Sequence, residues 1–240
     1  MRFMNITKII TSKPDLRKDI IGLLLSEFSI AQPLAESIYD NYLIQHFNKI
    51  IDSVWIIIEV PYIDKVYRDS YYNYFSTKLS RYHRDSIRLS FFDREIKNEE
   101  FQQVAETDRL AKSYLGFMVL RPTEPRIVGR SVLSPRALKI NNFLSLNVSV
   151  DATVNSIKFK AVGFPHASQD AETISCAETT IWALMEYFGN KYAEYIPVLP
   201  SRIINVLKQI SAERQVPSIG LNVQQIAFSL KEFGFGTKIY

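Results

Sequence analysis

Cysteine is almost missing from this chain: Cys176 is the only one among 240 residues. A single thiol excludes an internal disulfide and any zinc site built on paired thiolates. It fits a reducing compartment, so a cytoplasmic setting is expected. Glycine is scarce as well, with eight in all, and none falls into a dinucleotide fingerprint or a phosphate-cradling loop. No ligand spacing for a metal is present, so neither metal nor cofactor is expected. Long apolar runs are absent too. The best candidate, VWIIIEV at 54–60, has the length of a strand and not the roughly 20 residues of a membrane span. The first residues lack the apolar core of a signal peptide, and no membrane partner is expected. Histidine occurs three times, as His46, His83 and His166.

What the chain does have is the composition of a folded protein, 47% hydrophobic and 22% charged. Its net charge is +4. Residues 151–240 hold 8 basic and 8 acidic side chains, so the whole excess belongs to residues 1–150. A mild surplus spread over that length is only weak evidence for a nucleic-acid partner, and none is expected.

The most informative stretch is 169–189, QDAETISCAETTIWALMEYFG. Ser175 and Glu178 form a Ser-x-x-Glu capping box. Ile181, Leu184, Met185 and Phe188 follow at helical spacing, and Gly189 is expected to end the helix. Cys176 therefore stands at the first helical position. Unpaired backbone N–H groups and the helix dipole favour negative charge there, and a thiol so placed is a candidate nucleophile. Its own N–H is one candidate oxyanion donor. Gln169 could fold back to present its side-chain amide as a second.

The rest of the chain reads as mixed elements. Ser12, Pro14 and Asp15 open a helix with Leu16, Ile20, Leu23, Leu24 and Phe28 inward; a second starts near Pro33 and includes His46, which as a lone histidine reads as structural or solvated. Residues 55–60 form a buried strand ended by Pro61. Residues 64–82 interleave Tyr67, Tyr71, Tyr74, Phe75 and Tyr82 with basic side chains. They read as an amphipathic helix at a core edge, with a nucleic-acid stacking face as the alternative. SIRLSFF (86–92), 115–120 and 127–133 are strands, the last two paired across the TEPR turn. Residues 143–150 and 156–164 alternate at period two around DATVN and predict a hairpin. Two further helices are expected, over 201–214 and from Asn222 to Gly234. A strand is expected to begin at Thr237, and a chain that stops there reads as continuing beyond Tyr240.

Gln169 and Cys176, followed by AETTIWALMEYFG, resemble the Gln…Cys-helix pattern of papain-fold cysteine peptidases, and most of all the bacteriocin-leader-processing branch and its bacterial relatives. The run RQVPSIGLNVQQIAFSLKEFGF resembles the same branch, and the likeness covers about 164–240. It implies an α+β protein: an N-terminal mixed α/β domain with antiparallel strands over 1–160, of no assigned family, then over 161–240 the helical first lobe of a papain-like fold. It implies Cys176 as nucleophile, Gln169 as oxyanion-hole residue and a peptide or protein substrate. In that family the catalytic histidine and its Asn or Asp partner follow the cysteine, whereas all three histidines here precede it. The expectation is thus a cysteine peptidase-like hydrolase or acyl transferase, inactive as these 240 residues unless a later histidine lobe completes it. The alternative is a non-catalytic module binding protein or nucleic acid on a worn scaffold.

Overall fold

A computed structural model describes residues 6–79, 82–170, 172–173, 175–210 and 220–239. Its centre is a seven-stranded sheet in the order β1-β2-β3-β4-β5-β7-β6, every neighbour antiparallel. The strands are β1 (Thr7–Ser12), β2 (Trp55–Tyr62), β3 (Ser86–Phe92), β4 (Tyr114–Leu120), β5 (Val128–Leu133), β6 (Val148–Val154) and β7 (Ile157–His166). β7 runs through the 160/161 position at which the sequence divides into its two expected parts.

The period-two pattern of the central strands serves two cores at once. Ile56 and Ile58 of β2, with Leu89 of β3 and Met118 of β4, face a layer of helices. Those helices are α1 (Leu16–Glu27), α2 (Gln32–Ile38) and α3 (Ile44–Phe47), the last two joined by a π turn over Tyr39–Leu43. Ile57, Phe92, Phe117 and Val119 face the other way, where the β6–β7 hairpin folds over them with Val148, Val154 and Phe159. On that second face Arg88 forms a buried ion pair with Glu59 and also bonds the Thr153 carbonyl, tying the hairpin to β3. The hairpin tip reaches the opposite edge, where Lys8 donates to Asn155 Oδ1 at 2.5 Å.

A third core joins α6 (Cys176–Lys191), α7 (Pro200–Leu207) and α8 (Val223–Glu232) to Val66 of α4 (Lys65–Asn73). A short helix α5 (Thr107–Ser113) precedes β4. No helix among the described residues is long and apolar enough to cross a membrane.

Several local expectations shift. The hairpin turn is Asn155–Ser156, both at positive φ as a two-residue primed turn requires, so β6 begins at Val148 and residues 143–147 carry no strand. β2 continues through Pro61 to Tyr62. Gly189 does not end its helix, which runs on to Lys191; a Cβ there would come within 2.5 Å of Pro197, so this glycine permits close packing. Gly234 does end α8, at φ 97°, with Phe235 N–H bonding the Leu230 carbonyl at 2.9 Å. Asn222 and Gln225 cap α8 reciprocally at 2.8 and 2.9 Å. α7 ends at Leu207 and residues 208–210 are turn, so the helix expected over 201–214 stops early; residues 211–219 lie outside the described residues. Residues 235–239 hold no strand.

Candidate functional site

Cys176 is exposed at the start of α6, as its spacing predicts. Glu178 anchors that start: its buried carboxylate accepts from Ser175 N–H at 3.0 Å and from the Ser175 hydroxyl. Thr179 and Thr180 bond the Ser175 and Cys176 carbonyls, both at 2.8 Å. Gln169 does fold back, and the thiol donates to its Oε1 at 3.4 Å. A half-turn of the carboxamide exchanges its oxygen for the N–H₂ group. Gln169 can therefore accept from a thiol and donate to a thiolate or an oxyanion at the same place.

The loop that carries Gln169 is held on both sides. Ser168 N–H bonds the Val128 carbonyl at 3.0 Å, and buried Arg121 donates to the Ser168 carbonyl at 2.6 Å. Asp170 is buried and accepts from the Glu172 and Thr173 backbone N–H groups at 2.9 and 2.7 Å. Glu172 accepts from Tyr74 and Tyr82 hydroxyls at 2.7 and 3.0 Å and pairs with Lys78 at 2.8 Å. Burial alone would raise the Glu172 carboxyl; the bonds from Lys78, Tyr74 and Tyr82 outweigh it and hold it below the usual range.

These contacts bear on the tyrosine- and arginine-rich stretch at 62–84. Arg68 and Arg84 pair with Asp85, Lys65 with Glu186, and Lys78 with Glu172. Tyr67 and Phe75 are buried. Among the described residues of this stretch, Lys65, Arg68, Lys78 and Arg84 each pair with an acid of the fold.

Two of the three histidines converge on the thiol. A cavity of about 360 Å³ is lined by Cys176, Gln169, His166 and His46 together with Tyr42 and Arg126. His166 comes from the end of β7, placed by its pairing with Ser131 of β5. His46 comes from α3, and the two imidazole centroids stand 5.9 Å apart. His83 lies elsewhere; its carbonyl accepts from Tyr67. No carboxylate lines the cavity among the described residues. Burial pushes His166 down to about 4, aided by His46, Arg121 and Lys49. Burial, then Lys49, also lowers His46. Both rings are therefore neutral bases at neutral pH.

The sequence reading treats His46 as structural and looks for the catalytic imidazole after Cys176, with His166, ten residues upstream and able to approach the thiol from the same loop, as the lesser alternative to an exposed loop histidine. Nothing in the spacing brings His46 near position 166, because that meeting is made by the sheet. The one available signal is the alternation of β7, which, continued past Phe164, carries His166 to the strand end just before Gln169.

Compared with protein-family models, with curated proteins and with solved structures, the chain shows no match. The site therefore rests on its own geometry.

The depressed His166 has a consequence for stability. Its folded value of about 4 lies below the unfolded value of about 6.5. The unfolded chain therefore binds more protons between these limits, and stability falls as pH drops through that window. Allowing for partial exposure, the loss is on the order of 2 kcal/mol between about pH 7 and about pH 4.5. Urea unfolding at the two pH values checks this. His166→Gln is expected to remove about that much of the slope, while the contribution of carboxylates such as Glu172 remains.

Proposed function

We propose that this chain is a thiol-dependent hydrolase or acyl transferase acting on amide and related carbonyl bonds, with Cys176 as nucleophile. The observation that carries the reading is the cavity in which the thiol, the Gln169 carboxamide and two neutral imidazoles meet. His166 takes the thiol proton as Sγ attacks the carbonyl carbon. The Cys176 N–H at the helix start and the Gln169 side-chain N–H₂ stabilise the resulting oxyanion. Imidazolium then returns the proton to the departing amine or alcohol. Water, activated by the same ring, resolves the thioester.

On this reading residues 161–240 act as the thiol-bearing lobe in the manner of a papain-like fold. The imidazole arrives from the sheet that precedes the thiol in the chain. A peptide or protein, as the acyl group or as what carries it, is the expected natural substrate. The test is an activated ester. Incubated with p-nitrophenyl acetate, the protein is expected to release p-nitrophenolate and to carry one acetyl group on Cys176 by intact-mass and peptide analysis. Cys176→Ala is expected to abolish both. Equal release by the Cys176→Ala protein would defeat the proposal.

A further inference from the structure

A second cavity, of about 320 Å³, opens beside the thiol and is lined mostly by carbon: Leu146, Phe164, Pro165, Ala183 and Leu184, with Thr180 at its rim. It runs between the end of β7 and the exposed side of α6. It adjoins the thiol cavity: His166, Ala167 and Thr179 line both. Its outer wall is apolar surface left in solvent. Leu146 and Phe164 are each 45% exposed, and Phe143 and Leu144, just before Leu146, are 46% and 103% exposed. Ala167 and Ala183 also pack in the third core, but Leu146, Phe164 and Leu184 belong to none of the three cores, and a groove of this composition and size is suited to an apolar ligand.

Resting on the reading of Cys176 as an acylated nucleophile, we propose that the groove is an acyl-chain subsite: the substrate's carbonyl sits at the thiol and its unbranched apolar chain lies between β7 and α6. The position follows from the shared wall. A carbonyl carbon within bonding reach of Sγ has its oxygen directed to Gln169 and the helix N-terminus. The acyl substituent can then leave the cavity past His166 and Thr179 into the groove. The leaving group faces the other end, where Arg126 and Tyr42 stand. Recognition is by burial of methylenes and not by charge, since no Asp, Glu, Lys or Arg among the described residues lines the groove. In the covalent step the thiol proton passes to His166, the S–C bond forms and the C–O bond to the leaving group breaks. Hydrolysis then adds water across the thioester, so that ester and water give acid and alcohol.

The test is a series of p-nitrophenyl esters from acetate through butyrate to octanoate. Each methylene that enters the groove is expected to raise kcat/KM about three- to fourfold. Filling the groove with Ala183→Phe, or making it polar with Leu146→Asp, is expected to collapse the octanoate-to-acetate ratio toward one. A Cys176-dependent reaction with no chain-length preference in the unmodified protein overturns the subsite and leaves the nucleophile reading standing. A leucyl p-nitroanilide turned over faster than octanoate assigns the groove to a peptide side chain and overturns the acyl-chain assignment. No Cys176-dependent reaction with any ester overturns both. The wild-type series needs no variant to fold, and each outcome decides.

Discussion

Replacing His166 with glutamine is expected to slow acylation of Cys176 by p-nitrophenyl acetate about 10²- to 10³-fold, while His46→Gln costs about tenfold or less. The difference follows from placement. His166 ends the strand that runs directly into the Gln169 loop, and it lines both the thiol cavity and the apolar groove. His46 lines the thiol cavity but not the groove, its ring centroid is 5.9 Å from that of His166, and its charged form would oppose a proton on His166. Removing His46 therefore leaves the base in place and raises its affinity for a proton. Glutamine keeps hydrogen-bonding capacity at position 166 but cannot accept and return a proton. Stopped-flow release of p-nitrophenolate at neutral pH reads both variants. Equal losses, or a larger loss for His46→Gln, would exchange the two roles.

Gly163→Ala is expected to destabilise the protein by about 3 kcal/mol or more, a fall in melting temperature of about 10 °C for a chain of this size. A Cβ at position 163 would lie 1.9 Å from the Leu133 carbonyl oxygen and 2.5 Å from its carbon, both backbone atoms of β5 that no rotamer change can move. Gly163 sits where β7 is paired on one side with Val148 of β6 and, one residue on, with Leu133 of β5. Pushing β7 away there displaces Phe164 and His166 together, so remaining folded protein is expected to lose activity beyond its loss of stability. The internal contrast is Gly22→Ala. Gly22 lies in α1 with nothing within 4 Å of an added Cβ. The same chemical change there is expected to stabilise by about 0.5–1 kcal/mol. Thermal unfolding of the two variants side by side separates steric clash from a general response to lost glycine.

These two residues also mark how far the sequence carries. The central strands are legible because 54–60, 86–92 and 115–120 are rich in β-branched and aromatic side chains bounded by turn residues. The starts of α6 and α8 are legible because each carries a complete capping pair, Ser175 with Glu178 and Asn222 with Gln225. β1 is not legible: TKIITS is a half-exposed edge strand, and its alternation is weak. Gly189 reads as a helix stop because its real constraint, the ring of Pro197, comes from another segment. Residues 143–150 alternate as well as the true strand does; only the positive-φ turn at Asn155 and Ser156 sets the register.

Within the site, Cys176 and Gln169 are legible because they lie seven residues apart and share one helix start. His166, ten residues before Cys176, is legible only as a lesser alternative, and His46 is not legible, because 120 residues separate it from His166 and only the stacking of α3 on the sheet brings them together. Arg121 belongs to the same class. Its role in holding the Ser168 carbonyl is invisible until β4 is placed beside the loop.

On the proposed function, a neutral, half-buried His166 is the base for the Cys176 thiol. The most direct measurement is the pH dependence of Cys176 acylation by p-nitrophenyl acetate, followed by stopped flow in the intact chain. With His166 held down to about 4, the rate is expected to stay level from neutral pH to about pH 5 and to fall only as pH approaches about 4. In His166→Gln that level region is expected to vanish. A wild-type rate that instead climbs steadily with pH through the neutral range, as that of an unassisted thiol does, and that is unchanged in His166→Gln, would contradict the account.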